Sequence, residues 1–153
     1  MTSDTVDWVD SASCSVARTL ELVGDRWSML VLREAFWGVR RFDVMQRHLG
    51  IARNVLTERL QRLVGAGILD RVPYSEHPPR FEYRLSPTGR DLYPALITLM
   101  QWGDRHLEPV EGPEVVLTHA ACGHADGFHL ACNHCHEPVV ANDVRGQIVG
   151  VRD

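Results

Sequence analysis

The sequence predicts a mainly α-helical domain with a small β-hairpin, followed by a short tail that carries cysteine and histidine pairs. Three observations predict it. Four consecutive segments place apolar residues at helical spacing, a later stretch alternates apolar with polar residues, and three of the four cysteines cluster near the end. A chain of 153 residues with 44% hydrophobic and 24% charged residues has room for one domain with a small appendage. No apolar run approaches the roughly 20 residues needed to cross a bilayer. The acidic start, MTSDTVDWVDSASC, lacks the basic-then-apolar order of a secretion signal, so a cytoplasmic location with no membrane partner is expected.

Residues 1–13 are polar and expected to be loose. From Ser15, the apolar residues Val16, Leu20 and Val23 recur at helical spacing, and Gly24 ends the run. DRWSMLVLREAFWG opens with Asp25 as an N-cap and closes at Gly38. Its apolar residues cover most of the circumference, which is the pattern of a central buried helix. RFDVMQRHLG gives a short third helix with Phe42, Met45 and Leu49 on one side. In GIARNVLTERLQRLVGAGIL, Leu56, Leu60, Leu63 and Val64 form one inward face. Asn54, Glu58 and Gln61 then lie opposite, flanked by Thr57 and Arg62, and Gly65 and Gly67 end the helix. The period changes next: Val72 and Tyr74, then Phe81, Tyr83 and Leu85, alternate with polar neighbours around the turn SEHPPR. Ser86 and Pro87 read as an N-cap and a first helical position. The helix they open is expected to run to about Leu107, with Leu92, Leu96, Leu99 and Met100 apolar and Pro94 placed to kink it. Residues 108–114, EPVEGPE, read as a linker into a tail of residues 115–153.

Three helices, a fourth with a polar outer face, a hairpin and a long helix give the order of a winged helix–turn–helix domain over residues 14–107. Only LGIA separates the third and fourth helices, about the length of the turn in such a pair. The second helix of the pair is the one that enters a DNA major groove. A net charge of −4 at first argues against a nucleic-acid partner. Its distribution does not, because residues 26–90 hold twelve Arg against six Asp or Glu, a local +6, while the remainder holds four Arg against fourteen acids, a balance of −10. Asn54 suits adenine, Arg53 suits guanine or a phosphate, and Thr57 suits a thymine methyl or a phosphate. Glu58 suits a cytosine amino group; its plainer role is an i,i+4 ion pair with Arg62. Arg80, at the hairpin tip, is placed to meet the DNA backbone or minor groove, and Arg40 and Arg41 precede the third helix. The bland alternative for all of them is a solvated helix face and loop.

The segments CSVARTLELVGDRW, RRF, LGIARNVLTERLQRLVGAGIL, YRLSPTGR and QWGDRH together resemble the HxlR family of bacterial transcription regulators, within the MarR-like superfamily. The resemblance covers residues 14–107. It implies a winged helix–turn–helix fold, a homodimer built from the terminal helices, and a pseudo-palindromic operator, with repression the commoner outcome. By position, Arg53, Asn54 and Thr57 fall in the family's recognition helix, and Arg80 falls in its wing. Ala52 stands where members often carry a capping Ser or Thr, a loss of about 1 kcal/mol. Cys14 matches a position where members carry a cysteine, used in some as a redox or electrophile sensor; a half-buried packing cysteine is the simpler reading.

In the tail, His119-x-x-Cys122 and Cys132-x-x-Cys135 resemble the two knuckles of a zinc ribbon. A closed Cys₃His zinc site would hold together a segment too small to build a core. His124 is the second choice for the fourth ligand, with His129, His134 and His136 behind it, and a Cys132–Cys135 redox disulfide is the alternative chemistry. A zinc-dependent enzyme centred on the tail is the weakest reading. Glu137 is the sole glutamate near it, and no Ser-His-Asp set, phosphate loop or organic-cofactor fingerprint occurs, so no enzyme activity is expected. A protein-interaction or metal- or redox-sensing module, taking a redox or small-molecule effector, is the remaining alternative.

Overall fold

The computed structural model describes residues 12–108, 111, 115–125, 127–141 and 143–145. Most of the expected loose start and most of the 108–114 linker lie outside the described residues. Two compact units divide the chain between Leu96 and Ile97.

The first unit holds helices α1 (Ser15–Val23), α2 (Arg26–Phe36), α3 (Phe42–Leu49) and α4 (Arg53–Gly65), strands β1 (Leu69–Glu76) and β2 (Pro79–Leu85), and the short α5 (Pro87–Arg90). Asp25 caps α2 as its position suggests: its carboxylate accepts from the Trp27 and Ser28 N–H groups at 3.1 and 3.0 Å. Val31 and Leu32 of α2, Met45 of α3 and Leu56, Leu60 and Leu63 of α4 are fully or almost fully buried, and Leu69 of β1 closes the same core. Burying each such side chain stabilises the fold by roughly 1.5–3 kcal/mol. Val64, expected on the inward face, is half-buried at its edge. Gly50 ends α3 with φ +60, a conformation that suits glycine, and Ile51 behind it is buried. The turn is thereby pinned to the core, which fixes the angle at which α4 leaves. Ala52 stands at the α4 N-cap without a side-chain hydrogen bond, as its identity dictates.

The hairpin is longer than its alternation suggested. Leu69 pairs with Leu85 at its base and Glu76 with Pro79 at its tip, with an irregularity between Pro73 and Ser75. Arg80 is therefore the second residue of β2, opposite Ser75, and not in the turn itself. A further antiparallel bridge joins Arg41 to Glu82, and the Tyr83 N–H donates to the Arg40 carbonyl at 2.8 Å. This third, one-residue strand ties the start of α3 to the wing.

The long helix expected after Ser86 is interrupted. Ser86 caps α5, accepting from the Gly89 N–H at 3.0 Å, but α5 stops at Arg90 and α6 (Tyr93–His106) starts afresh. Pro94 gives the reason, because it lacks an N–H and its ring would strike the Arg90 carbonyl in a continuous helix. At the second position of a new helix the same proline is harmless. The division between the units falls within α6. In the second unit, Met100, Gln101, Asp104 and Arg105 of α6 and Val115, Leu117 and Phe128 of the tail line a cavity of about 350 Å³. The described residues of the tail are otherwise irregular, with a bridge between Ala131 and Pro138. No described helix is long and apolar enough to cross a membrane.

Candidate nucleic-acid interface

The outer face of α4 carries Arg53, Asn54, Thr57, Glu58, Gln61 and Arg62, all exposed. Thr57 returns its hydroxyl hydrogen to the Arg53 carbonyl at 2.8 Å, which leaves its methyl and the oxygen's lone pairs outward. The Arg53 guanidinium lies 5.0 Å over the Phe42 ring, so the first turn of α4 rests on the first turn of α3.

Beside this face runs a groove of about 550 Å³ between α3, α4 and the wing, lined by Arg41, Arg53, Thr57, Tyr74, Arg80 and Phe81 among others. Four residues singled out from the sequence thus share one cleft: Arg41, Arg53, Thr57 and Arg80. Arg41 stacks over Tyr74 at 4.9 Å and reaches Glu82 at 4.0 Å, a loose pair that leaves its positive charge largely available. Arg40 is exposed and contributes its carbonyl to the wing.

One expectation needs correction. Glu58 pairs with Arg59 at 3.2 Å, and the ion pair with Arg62 is not the one the structure forms. Arg59 is held there because its Nε sits 3.2 Å from the Asp25 carboxylate, the cap of α2. That contact is an ion pair whose N–H does not align into a hydrogen bond. Arg59, part of the arginine-rich stretch, is therefore a brace between α4 and α2, with only 19% of its side chain exposed. Arg71 is a further arginine on this surface, beyond those the sequence pattern singles out. It lies on β1 with its guanidinium 3.5 Å over the Phe81 ring, and with Thr57, Gln61 and Tyr83 it lines a second recess of about 360 Å³. Its signal was present in the strand alternation, which sets Arg71 out of phase with Val72.

Cys14 is the N-cap residue of α1 and half-buried; its carbonyl accepts from the Arg18 N–H at 3.0 Å. In the tail, His119 Nδ1 and Cys122 Sγ are 3.2 Å apart, while His124 Nδ1 engages the Cys122 carbonyl at 3.1 Å. Hydrogen bonds from the Cys135 and His134 N–H groups and from the Cys135 side chain hold the Cys132 thiol below its ordinary pKa. The four candidate ligands are thus brought together as two pairs. Among the described residues, no three His, Cys, Asp or Glu side chains form a group that could hold a metal ion.

A helix–turn–helix packed on a buried core with a hairpin wing, and an exposed polar helix face beside an arginine-lined groove, defines the class of DNA-binding transcription regulators. Residues 22–111 match the HxlR-like helix-turn-helix family, and the chain belongs to it. The chain is 56% identical over 131 residues to Mb3122, an uncharacterized HTH-type transcriptional regulator of Mycobacterium bovis, over 85% of this chain and 82% of that one. Among solved structures it superposes on PA1607, a candidate transcription factor, with a TM-score of 0.77 at 38% identity, covering 89% of this chain and 95% of that one. That share exceeds what residues 1–107 amount to, so the likeness runs into the tail. The redox regulator HypR in its oxidized form gives a TM-score of 0.58 at 31% identity, covering 63% of this chain and all of that one, 100%.

Proposed function

We propose that the protein is a sequence-specific repressor that binds a pseudo-palindromic operator as a homodimer, with α4 in the major groove and the wing on the flanking backbone. The observation that carries this is the shared cleft: Arg41, Arg53, Thr57 and Arg80, from three separate elements, line one groove beside the exposed face of α4. In this reading Asn54 and Thr57 meet base edges, Arg53 meets a guanine or a phosphate, and Arg41 and Arg80 meet phosphates. Arg62, in the last turn of α4, is a peripheral phosphate contact. Glu58 keeps a base-reading role only by leaving Arg59, so it ranks behind Asn54. Two exposed apolar sets support the dimer: Val16 and Leu20 on α1, and Leu99 and Trp102 on α6, each more than half exposed in the single chain.

The test is a gel shift on the DNA upstream of the protein's own gene, at several salt concentrations. Affinity should fall with salt at about 0.9 log units per decade for each phosphate neutralised. Asn54→Ala should relax preference at one base position, while Arg80→Ala should weaken specific and scrambled DNA alike. Equal losses on both DNAs for Asn54→Ala would remove that residue from the base-reading set. For the dimer, Leu20→Asp should shift the sedimenting species towards the monomer mass; an unchanged monomer in both proteins counts against it. Repression predicts that deleting the gene raises expression of a reporter driven by the bound promoter.

A thiol signal is a second reading, favoured by the likeness to a redox regulator and by the place of Cys14 at the start of α1. Oxidation should then weaken operator binding, and Cys14→Ser should abolish that response.

A further inference from the structure

Outside the winged domain, two short loops in the tail have the same backbone. The first is residues 119–124, HAACGH, and the second is residues 132–137, CNHCHE; they share only the cysteine at the fourth place. In each, the N–H of the first residue donates to the carbonyl of the sixth: His119 to His124 at 2.8 Å and Cys132 to Glu137 at 2.9 Å. In each, the N–H of the fifth residue donates back to the carbonyl of the first: Gly123 to His119 at 2.8 Å and His136 to Cys132 at 2.9 Å. In each, the fifth residue has positive φ, +74 at Gly123 and +62 at His136. Glycine takes that conformation without strain, whereas a histidine there is uncommon. Two unrelated hexapeptides therefore hold one shape, and what they have in common is a Cys or His at the first and fourth places.

We infer that these loops are the two halves of a structural zinc site, with His119, Cys122, Cys132 and Cys135 as its ligands. Two donors on one tetrahedral zinc, with Zn–S near 2.3 Å and Zn–N near 2.0–2.1 Å, stand about 3.5 Å apart. His119 Nδ1 and Cys122 Sγ, at 3.2 Å, already have nearly that spacing. Thiolate and imidazole donors select zinc over magnesium or calcium. The tail also needs a staple, because Val116, Leu130, Val140 and Val144 are each 59% exposed or more and give it little core of their own. The structure gathers each pair but not the four, since among the described residues no three such side chains form a group, so four-coordination requires the two loops to close on the ion. His119 Nδ1 stands beside the Cys122 sulfur while His124 is turned to the Cys122 carbonyl, so His119 is the histidine placed to ligate.

The experiment is metal analysis of the full chain, purified in reductant and dialysed after exposure to zinc. About one zinc per chain is expected, falling below about half in Cys122→Ser and in Cys132→Ser and unchanged in Cys14→Ser. Cobalt in place of zinc should give thiolate charge-transfer and tetrahedral d–d absorption. His119→Ala should weaken binding about tenfold or more, and His124→Ala should leave it unchanged. Less than about half an equivalent in the wild-type chain overturns the site, as does full metal retention in Cys132→Ser. So does a disulfide between Cys132 and Cys135 in the reduced preparation, read as a mass two hydrogens low in the peptide that carries both. None of these readouts depends on DNA binding.

Discussion

Replacing Asp25 by alanine tests how α4 is held. The carboxylate of Asp25 accepts two N–H groups at the start of α2 and lies 3.2 Å from Arg59. Losing the cap costs about 1 kcal/mol. Losing the counter-charge costs about 1 kcal/mol more, well short of a deeply buried pair, because Arg59 keeps Glu58 and a path to water. The sum is about 2 kcal/mol, and a domain of this size loses about 4–8 °C in Tm per kcal/mol, so Asp25→Ala should melt about 8–16 °C lower. Asp25→Asn keeps the acceptor and loses only the charge, so it should fall about half as far. Circular dichroism melts at pH 7 measure both. A drop below about 3 °C for Asp25→Ala, or identical melts for the two variants, refutes the reasoning. The pH dependence gives a second check. Burial pushes the Asp25 carboxyl up, but the Ser28 hydrogen bonds, the Arg59 charge and the Trp27 N–H together carry it below its ordinary value. A folded pKa below the unfolded value of about 3.9 means the stabilisation is complete above about pH 5. It is lost as pH falls through the folded pKa, so the gap between wild type and Asp25→Ala should narrow in acid.

Three further outcomes follow from particular contacts. Leu60, 0% exposed, sits in the middle of the core, and Leu60→Ala should cost about 2–5 kcal/mol, read as a lower urea midpoint. A Cβ on Gly89 would overlap the Ile68 carbonyl oxygen, a backbone atom that cannot step aside. Gly89→Ala should therefore cost about 1–3 kcal/mol where hairpin and α5 join, while Gly65→Ala, with open space around its Cβ, should not. Arg53→Ala should lower the salt slope of DNA binding by about 0.9 if its partner is a phosphate; an unchanged slope with relaxed base preference assigns it to guanine instead.

Much of the first unit was legible because its signals are local. The spacing of Leu56, Leu60 and Leu63 gave the inward face of α4, and all three are buried. Asp25 and Ser86 announced their caps because capping joins residues two or three apart. The partners of charged side chains were less legible. Glu58 has Arg59 and Arg62 both within reach along the helix, and the choice was made by Asp25, a residue far away in sequence that fixes Arg59. The break between α5 and α6 was half visible: Pro94 marked the place, but only the packed Ser86–Gly89 junction shows that the helix restarts there. The matching tail loops were visible as a spacing of Cys and His, and their common backbone was not, since HAACGH and CNHCHE have little in common as strings.

The sequence by itself determined that the four segments before the hairpin are helical, which face of α4 is apolar, that a hairpin follows and that the basic charge gathers in residues 26–90. Those properties depend on neighbours within one helical turn or one strand pair. The tertiary structure decided which arginines act as braces and which line the groove. Arg41 joined Arg53 and Arg80 only because the one-residue bridge to Glu82 draws the start of α3 onto the wing. Charge is a property of a residue, but a charged surface is a property of where the chain brings residues together, and that is set by the core beneath them.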